Sequence, residues 1–440
     1  MFRTKHHHLF LNLICLIHSM VFSIPIFAQS DDAPNDMKGE NEATYFPALT
    51  GTAVSEQQVI ELALKNSRKL QSLVTNVAIA NYRLRSSGSM RNPELRISEV
   101  STRYYTQEFD ELRLGLRFRL PQLGELGEEK QEARVDLWDR KVEEVRYRQE
   151  LIARVRKDYA DVLMYDQLAE IARQRVAKAD ERIQIIEKLV ELGRRSVVYF
   201  TKAKMWHAES KNDLALALQN QGLARRKLSK RTGLPENLPI VYHELPEVTQ
   251  DVDELIKLAI AHRPEIDLVQ QRIELANKQQ KLEYLKLIPW FNFIELSYHA
   301  EKERREDWGE FMAGINLPLF NWNIGNIQAT HLAVKKKTDE SDAIRESVAE
   351  EVRSAYNIYK DLLLDWKNFS ASGAELIANA TKLVTEARQH ETLMPDEVVE
   401  MEWTIFDTQR LLAEKRREVA HALADLYFAI GIEGYEQLIR

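Results

Sequence analysis

The sequence predicts a mainly α-helical chain carrying β-strands of the transmembrane-barrel type, built by duplicating one helix–β-hairpin–helix–helix unit. Three observations support this: an internal repeat, a scarcity of helix breakers, and one strand of uninterrupted apolar–polar alternation. The chain has 15 glycines and 12 prolines in 440 residues, well below the usual ~7% and ~5%. Few breakers mean few turns and long elements.

The repeat is visible residue by residue. Val59-Ile60-Glu61-Leu62-Ala63-Leu64 corresponds to Leu255-Ile256-Lys257-Leu258-Ala259-Ile260 at a shift of 196, as do Ala80-Asn81 with Ala276-Asn277 and Pro93 with Pro289. At 197, Leu120-Pro121 meets Leu317-Pro318, Val155-Arg156 meets Val352-Arg353, and Tyr159 meets Tyr356. At 198, Gly233-Leu234 meets Gly431-Ile432. The repeats span 55–235 and 251–434, with hairpins at 93–121 and 289–318 and a linker at 236–250.

Helices are expected at 55–88, 124–192 and 197–232, and again at 252–287, 327–390 and 396–430. Leu151, Val155, Tyr159 and Val162 recur at helical spacing. Ser55 with Gln58, and Asp251 with Glu254, stand where helix-start caps belong. The longest helix, of about 69 residues, extends roughly 100 Å at ~1.5 Å per residue. The helices at 55–88 and 197–232 have nearly the same combined length, so stacked end to end they match it. Helices this long also suit a cytosolic coiled coil. The N-terminus and the strands decide against that.

Arg3, Lys5 and three histidines precede an apolar stretch from Leu9 to Met20, and Ala28 offers a small residue before Gln29. This is the pattern of a secretory signal peptide over 1–28. Residues 29–54, rich in Asp, Asn, Pro and Gly, read as a flexible segment. The only cysteine, Cys15, lies inside the signal, so the exported chain carries no disulfide and no thiolate ligand. Loss of Arg3 and Lys5 takes the formal charge from −7 to −9. A mildly acidic chain with interspersed charges is a poor fit to nucleic acid.

Leu112, Leu114, Leu116, Phe118 and Leu120 alternate with Arg113, Gly115, Arg117 and Arg119, giving one apolar and one cationic face. Phe311, Ala313, Ile315 and Leu317 alternate likewise, and Ile294, Leu296 and Tyr298 lie opposite Glu295, Ser297 and His299. The strand from Leu95 to Val100 is less regular, with Glu99 on its apolar face. Polar loops are expected at Ser101–Asp110 and Glu301–Glu310. A single hairpin of this kind fits a soluble sheet with one buried face equally well. Four strands per chain cannot close a barrel, and open edges do not survive in lipid. Membrane insertion therefore requires several chains. Arg113, Arg117 and Arg119 then line the lumen with Glu295, or instead pair with Glu295 on another strand. Leu112, Leu114, Leu116, Phe118, Leu120, Phe311 and Ile315 face lipid.

The duplicated plan over 55–434, with Pro93 and Pro289 entering the hairpins and Leu317-Pro318-Leu319-Phe320 leaving the second, resembles the TolC family of outer-membrane factors. Asn321-Trp322-Asn323-Ile324-Gly325-Asn326-Ile327 is similar to the branch serving heavy-metal efflux pumps, of the CzcC and CusC kind. The resemblance implies a homotrimer with a 12-stranded barrel in the outer membrane and a tunnel of twelve coaxial helices through the periplasm. It also implies a periplasmic adaptor and an inner-membrane RND-type pump. A protein-secretion duct of the same fold, or a non-channel periplasmic scaffold, are the alternatives.

The resemblance places adaptor-docking tips at Gly193, Arg194, Arg195 and Ser196 and at Leu393, Met394 and Pro395, the second departing from the family's glycine pattern. It places the narrowed aperture at Glu397 and Glu400, one helical turn apart. No catalytic residue and no cofactor is expected. The histidines outside the signal (His207, His243, His262, His299, His331, His390 and His421) lack ligand spacing. Neither a glycine-rich phosphate loop nor a nucleophile motif is present.

Overall fold

A computed structural model describes residues 53–100, 111–301, 307–390 and 395–434. The chain divides after Thr52, and every described residue lies in the second unit. Each repeat begins with a helix in two pieces. In the first these are α1 (Glu56–Asn66) and α2 (Arg68–Ser86), then β1 (Glu94–Val100), β2 (Glu111–Arg119), α3 (Glu125–Glu191) and α4 (Val197–Thr232). The second holds α5 (Val252–His262), α6 (Pro264–Leu285), β3 (Trp290–Glu301), β4 (Asp307–Asn316), α7 (Ile324–His390) and α8 (Pro395–Ile430).

The long helices, α3 and α7, each run 67 residues. α1, α2 and α4, of 11, 19 and 36 residues, together match α3 and pack along it. α5, α6 and α8, of 11, 22 and 36 residues, do the same for α7. The end-to-end stacking expected from residue numbers is therefore present. α3 also packs against α6 and α8, which joins the repeats side by side.

The expected single helices at 55–88 and 252–287 are each broken, and the break is itself duplicated. Ser67 leaves the helical conformation and its hydroxyl accepts from the Leu70 N–H, capping α2. Arg263, 196 residues on, is held extended because Pro264 disfavours a helical residue before it. In both repeats the break ties to the end of the repeat's last helix. Asn66 Nδ2 donates to the Thr232 carbonyl at 2.6 Å, and Arg263 Nε donates to the Ala429 carbonyl at 2.8 Å. Gly233 and Gly431 close α4 and α8 with φ of 76° and 84°, a left-handed cap that favours glycine. Ser55 and Gln58 form the reciprocal capping box, whereas Asp251 makes no side-chain cap.

Two apolar cores repeat the symmetry. Val59, Ile60, Leu151, Val155, Tyr159, Val162 and Leu228 fill the first. Leu255, Val348, Val352, Tyr359, Val419, Leu426 and Ile430 fill the second. Each core fastens one side of the linker by a tyrosine. The Tyr159 hydroxyl donates to the Val241 carbonyl at 2.6 Å, and the Val248 N–H donates to the Tyr359 hydroxyl at 3.3 Å. The repeat pairs Tyr159 with Tyr356, but Tyr359, in the place of Val162, makes the linker contact. Val54, at the end of the expected flexible segment, is buried and pairs in parallel with Ile240.

The four strands form one antiparallel sheet in the order β1-β2-β3-β4. β3 and β4 reach Glu301 and Asp307, well into the polar loop expected at 301–310. Residues 101–110 lie outside the described residues.

Candidate functional site

Register decides which side chains share a face. Arg113, Gly115 and Arg117 stand opposite His299, Ser297 and Glu295, and Leu114, Leu116 and Phe118 opposite Tyr298, Leu296 and Ile294. β1 adds Leu95 and Ile97 to the apolar face, and β4 adds Phe311, Ala313 and Ile315. Glu99 pairs in register with Leu112. Leu95, Ile97, Leu116, Leu296, Phe311 and Ile315 are exposed, and Leu112, Leu114, Phe118 and Leu120 half-buried. A continuous apolar face this open marks an interaction surface.

The polar face is built around one carboxylate. Glu295 is 2% exposed and receives Arg96 at 3.1 Å, Arg113 at 3.5 Å and Arg117 at 3.9 Å. Arg96 lies on β1, so this contact crosses β2. Gly115 permits it, because a Cβ there would stand 3.0 Å from Glu295 Oε1. Arg113 also meets Glu310 at 2.8 Å, which accepts from His299 at 3.0 Å, and the His299 ring stacks on Trp308. Arg119 pairs with Glu94 at 2.8 Å rather than with Glu295. The face read as strongly cationic is therefore largely neutralised: sequence reading missed Glu94 and Glu310, which only strand pairing brings beside the arginines.

At the far end of the long helices, Gly193 adopts φ 65° and the backbone N–H groups of Arg194 and Arg195 donate to the Leu189 carbonyl. Arg194 and Ser196 are exposed, Arg195 lies over the Tyr199 ring, and exposed Leu192, Val197 and Val198 flank them. The tip thus mixes cations with apolar side chains. Of the second tip, Leu393 and Met394 lie outside the described residues, and Pro395 begins α8.

Glu397 and Glu400 are both exposed on α8, on the side away from buried Val398 and Val399. The same exposed stripe continues through Thr404 to Asp407, a seven-residue step beyond Glu400 that the sequence reading passed over. Behind it, Arg175 of α3 holds Asp213 of α4 at 3.0 Å and lies over the Trp403 ring at 4.1 Å. This contact joins all three helices near the tips. Among the described residues no helix is long and apolar enough to cross a membrane, and no group of three His, Cys, Asp or Glu is placed to hold a metal ion.

A sheet with one bare apolar face, set on paired 67-residue helices, invites comparison with known channels. Residues 59–234 match the family model described as Outer membrane efflux protein. The match coincides with the first repeat. The second repeat lies outside that match. The chain is similar in structure to CusC, at 18% identity and a TM-score of 0.68 over 86% of this chain and 92% of that one. It is also similar to VceC of Vibrio cholerae, at 18% identity and 0.65 over 86% and 96%. The open state of the MtrE outer membrane channel of Neisseria gonorrhoeae matches at 18% and 0.67, over 86% and 89%. These likenesses establish a shared fold. No curated protein matches at a significant level. The description of the matched family agrees with the outer-membrane localisation expected for this chain.

Proposed function

We propose that three copies of this chain form a passive outer-membrane channel, the exit duct of a tripartite efflux system. A periplasmic adaptor docks on the tips around Gly193–Ser196 and Leu393–Pro395, and an RND-type inner-membrane pump supplies the energy. Metal ions or small toxic compounds are the cargo. The observation that carries the reading is the open sheet: its apolar face is bare, and its edge strands β1 and β4 have no partner within the described residues. In lipid, unpaired strand edges cost several kcal/mol per group. Joining β1 of one copy to β4 of the next removes both edges, and three copies give twelve strands.

In this arrangement Arg113, Arg117, Arg119 and Glu295 face the lumen, and Leu112, Leu114, Leu116, Phe118, Leu120, Phe311 and Ile315 face lipid. Lumen charges that pair with one another hold the barrel wall rigid while leaving little net field on the cargo. Glu397 and Glu400, repeated by threefold symmetry, form acidic rings at the periplasmic aperture, and such rings favour cations.

The test uses the absence of native cysteine beyond Cys15. Ile97→Cys on β1 is combined in turn with Phe311→Cys, Ala313→Cys and Ile315→Cys on β4. At least one pair should yield a disulfide-linked trimer from the outer-membrane fraction. A soluble periplasmic monomer, with no crosslink in any pair, would refute the channel and leave a helical scaffold.

A further inference from the structure

We propose that a cavity at the junction of the two repeats is a binding site for a small organic carboxylate with an apolar body. The cavity, of about 290 Å³, opens between α1, α3, the inter-repeat linker and α8.

Among the described residues its charges are unevenly paired. Arg416 of α8 is 9% exposed; its guanidinium donates to the His243 carbonyl and lies over the Tyr242 ring at 4.0 Å. No carboxylate among the described residues pairs with it. Burial pushes its pKa below the usual arginine value, with only Tyr242 and Tyr159 opposing. Arg156 of α3, 12% exposed at its side chain, stands 3.7 Å from Glu56 and also feels the Glu433 carboxylate. The other oxygen of Glu56 is 3.4 Å from His243 Nε2, so one carboxylate serves both Arg156 and His243. The Glu433 carboxylate pairs with Arg148 at 2.8 Å and also acts on Arg156, whose guanidinium donates to the Glu433 backbone carbonyl. Glu56 and Glu433 are thus engaged by Arg156, His243 and Arg148, and of the cavity's two guanidinium groups Arg416 is the one with no carboxylate partner among the described residues.

Burying a cation without a counter-ion is costly, and the cost falls if an anion enters. A planar guanidinium fork matches a carboxylate in two parallel hydrogen bonds. The remaining wall includes Leu163 and Leu423. Apolar walls beside an arginine pair suit an acid with a hydrocarbon body better than inorganic phosphate. A ligand held there touches α3 and α8 at once and so fastens the first repeat to the second.

The experiment is calorimetric titration of the detergent-solubilised full chain with benzoate. One site per protomer is expected, with affinity at least tenfold weaker in Arg416→Gln. Ala420→Leu, which fills the cavity and removes no charge, should abolish binding while melting like the parent. Three results would overturn the proposal. They are no saturable binding of benzoate, equal binding by the parent and both variants, or binding of inorganic phosphate that benzoate does not displace. A fourth is benzoate binding only after truncation following Gly434, which would make the chain's own C-terminal carboxylate the occupant.

Discussion

Replacing Glu295 by glutamine separates a structural carboxylate from a surface one. Glu295 is almost fully buried and faces guanidinium groups at 3.1, 3.5 and 3.9 Å. Removing one partner of a buried ion pair costs ~3–5 kcal/mol, because the remaining charge is left uncompensated. Here the arginine side chains are 53%, 27% and 24% exposed, so water takes up part of their charge. The glutamine also keeps one acceptor. The expected loss is about 2–3 kcal/mol, near the value of one or two charge-assisted hydrogen bonds. Arg119→Gln is the control: its pair with Glu94 is 55% and 44% exposed, and such pairs are worth ~0–1 kcal/mol. Both variants are compared by urea unfolding of the detergent-solubilised protein, with stability from linear extrapolation. Equal stability of Glu295→Gln and the parent, or a larger loss in Arg119→Gln, would refute the view that the polar face is organised around Glu295.

Tyr159→Phe should lower stability by about 1–2 kcal/mol in the same assay, because the Val241 and Val54 carbonyls lose their shared donor in a buried setting. Tyr356→Phe, the tyrosine aligned by the repeat, should cost less than Tyr359→Phe. Burial pushes the Asp161 carboxyl up, but hydrogen bonds from His421 and Arg417 outweigh it and hold its pKa below the ordinary 3.8. A depressed folded pKa gives stability that is present above the unfolded value and fades as pH falls through the folded one. Asp161→Asn should therefore be less stable than the parent at pH 6, with the gap narrowing below about pH 4; a gap independent of pH would remove the linkage. Glu397→Gln with Glu400→Gln should reduce cation preference in planar-bilayer reversal potentials, and unchanged selectivity would place the charge filter elsewhere, Asp407 being the next residue to test.

Much of this protein is written locally. The long helices follow from the scarcity of glycine and proline, and the sheet faces follow from alternation in Leu112–Leu120. The duplication extends even to features not anticipated, since the helix breaks at Ser67 and Arg263 lie 196 residues apart. Pro264 was a visible signal for the second break; Ser67 gave none that distinguishes a cap from an ordinary exposed serine. Gly115 reads as a neutral gap in an arginine face until the Glu295 carboxylate is found against it. Asp407 could have been reached by extending the heptad step from Glu400.

The sequence by itself determined the helices, their matched lengths, the repeat and the two faces of the strands, because period and breakers act through neighbouring residues. The tertiary structure alone decided which charges meet. Arg96 and Glu295 are 199 positions apart, and Arg416 and His243 are 173 apart. Their contacts depend on sheet register and on how α3, α8 and the linker pack together. Those distances are fixed only when both repeats have folded side by side, so no local pattern records them.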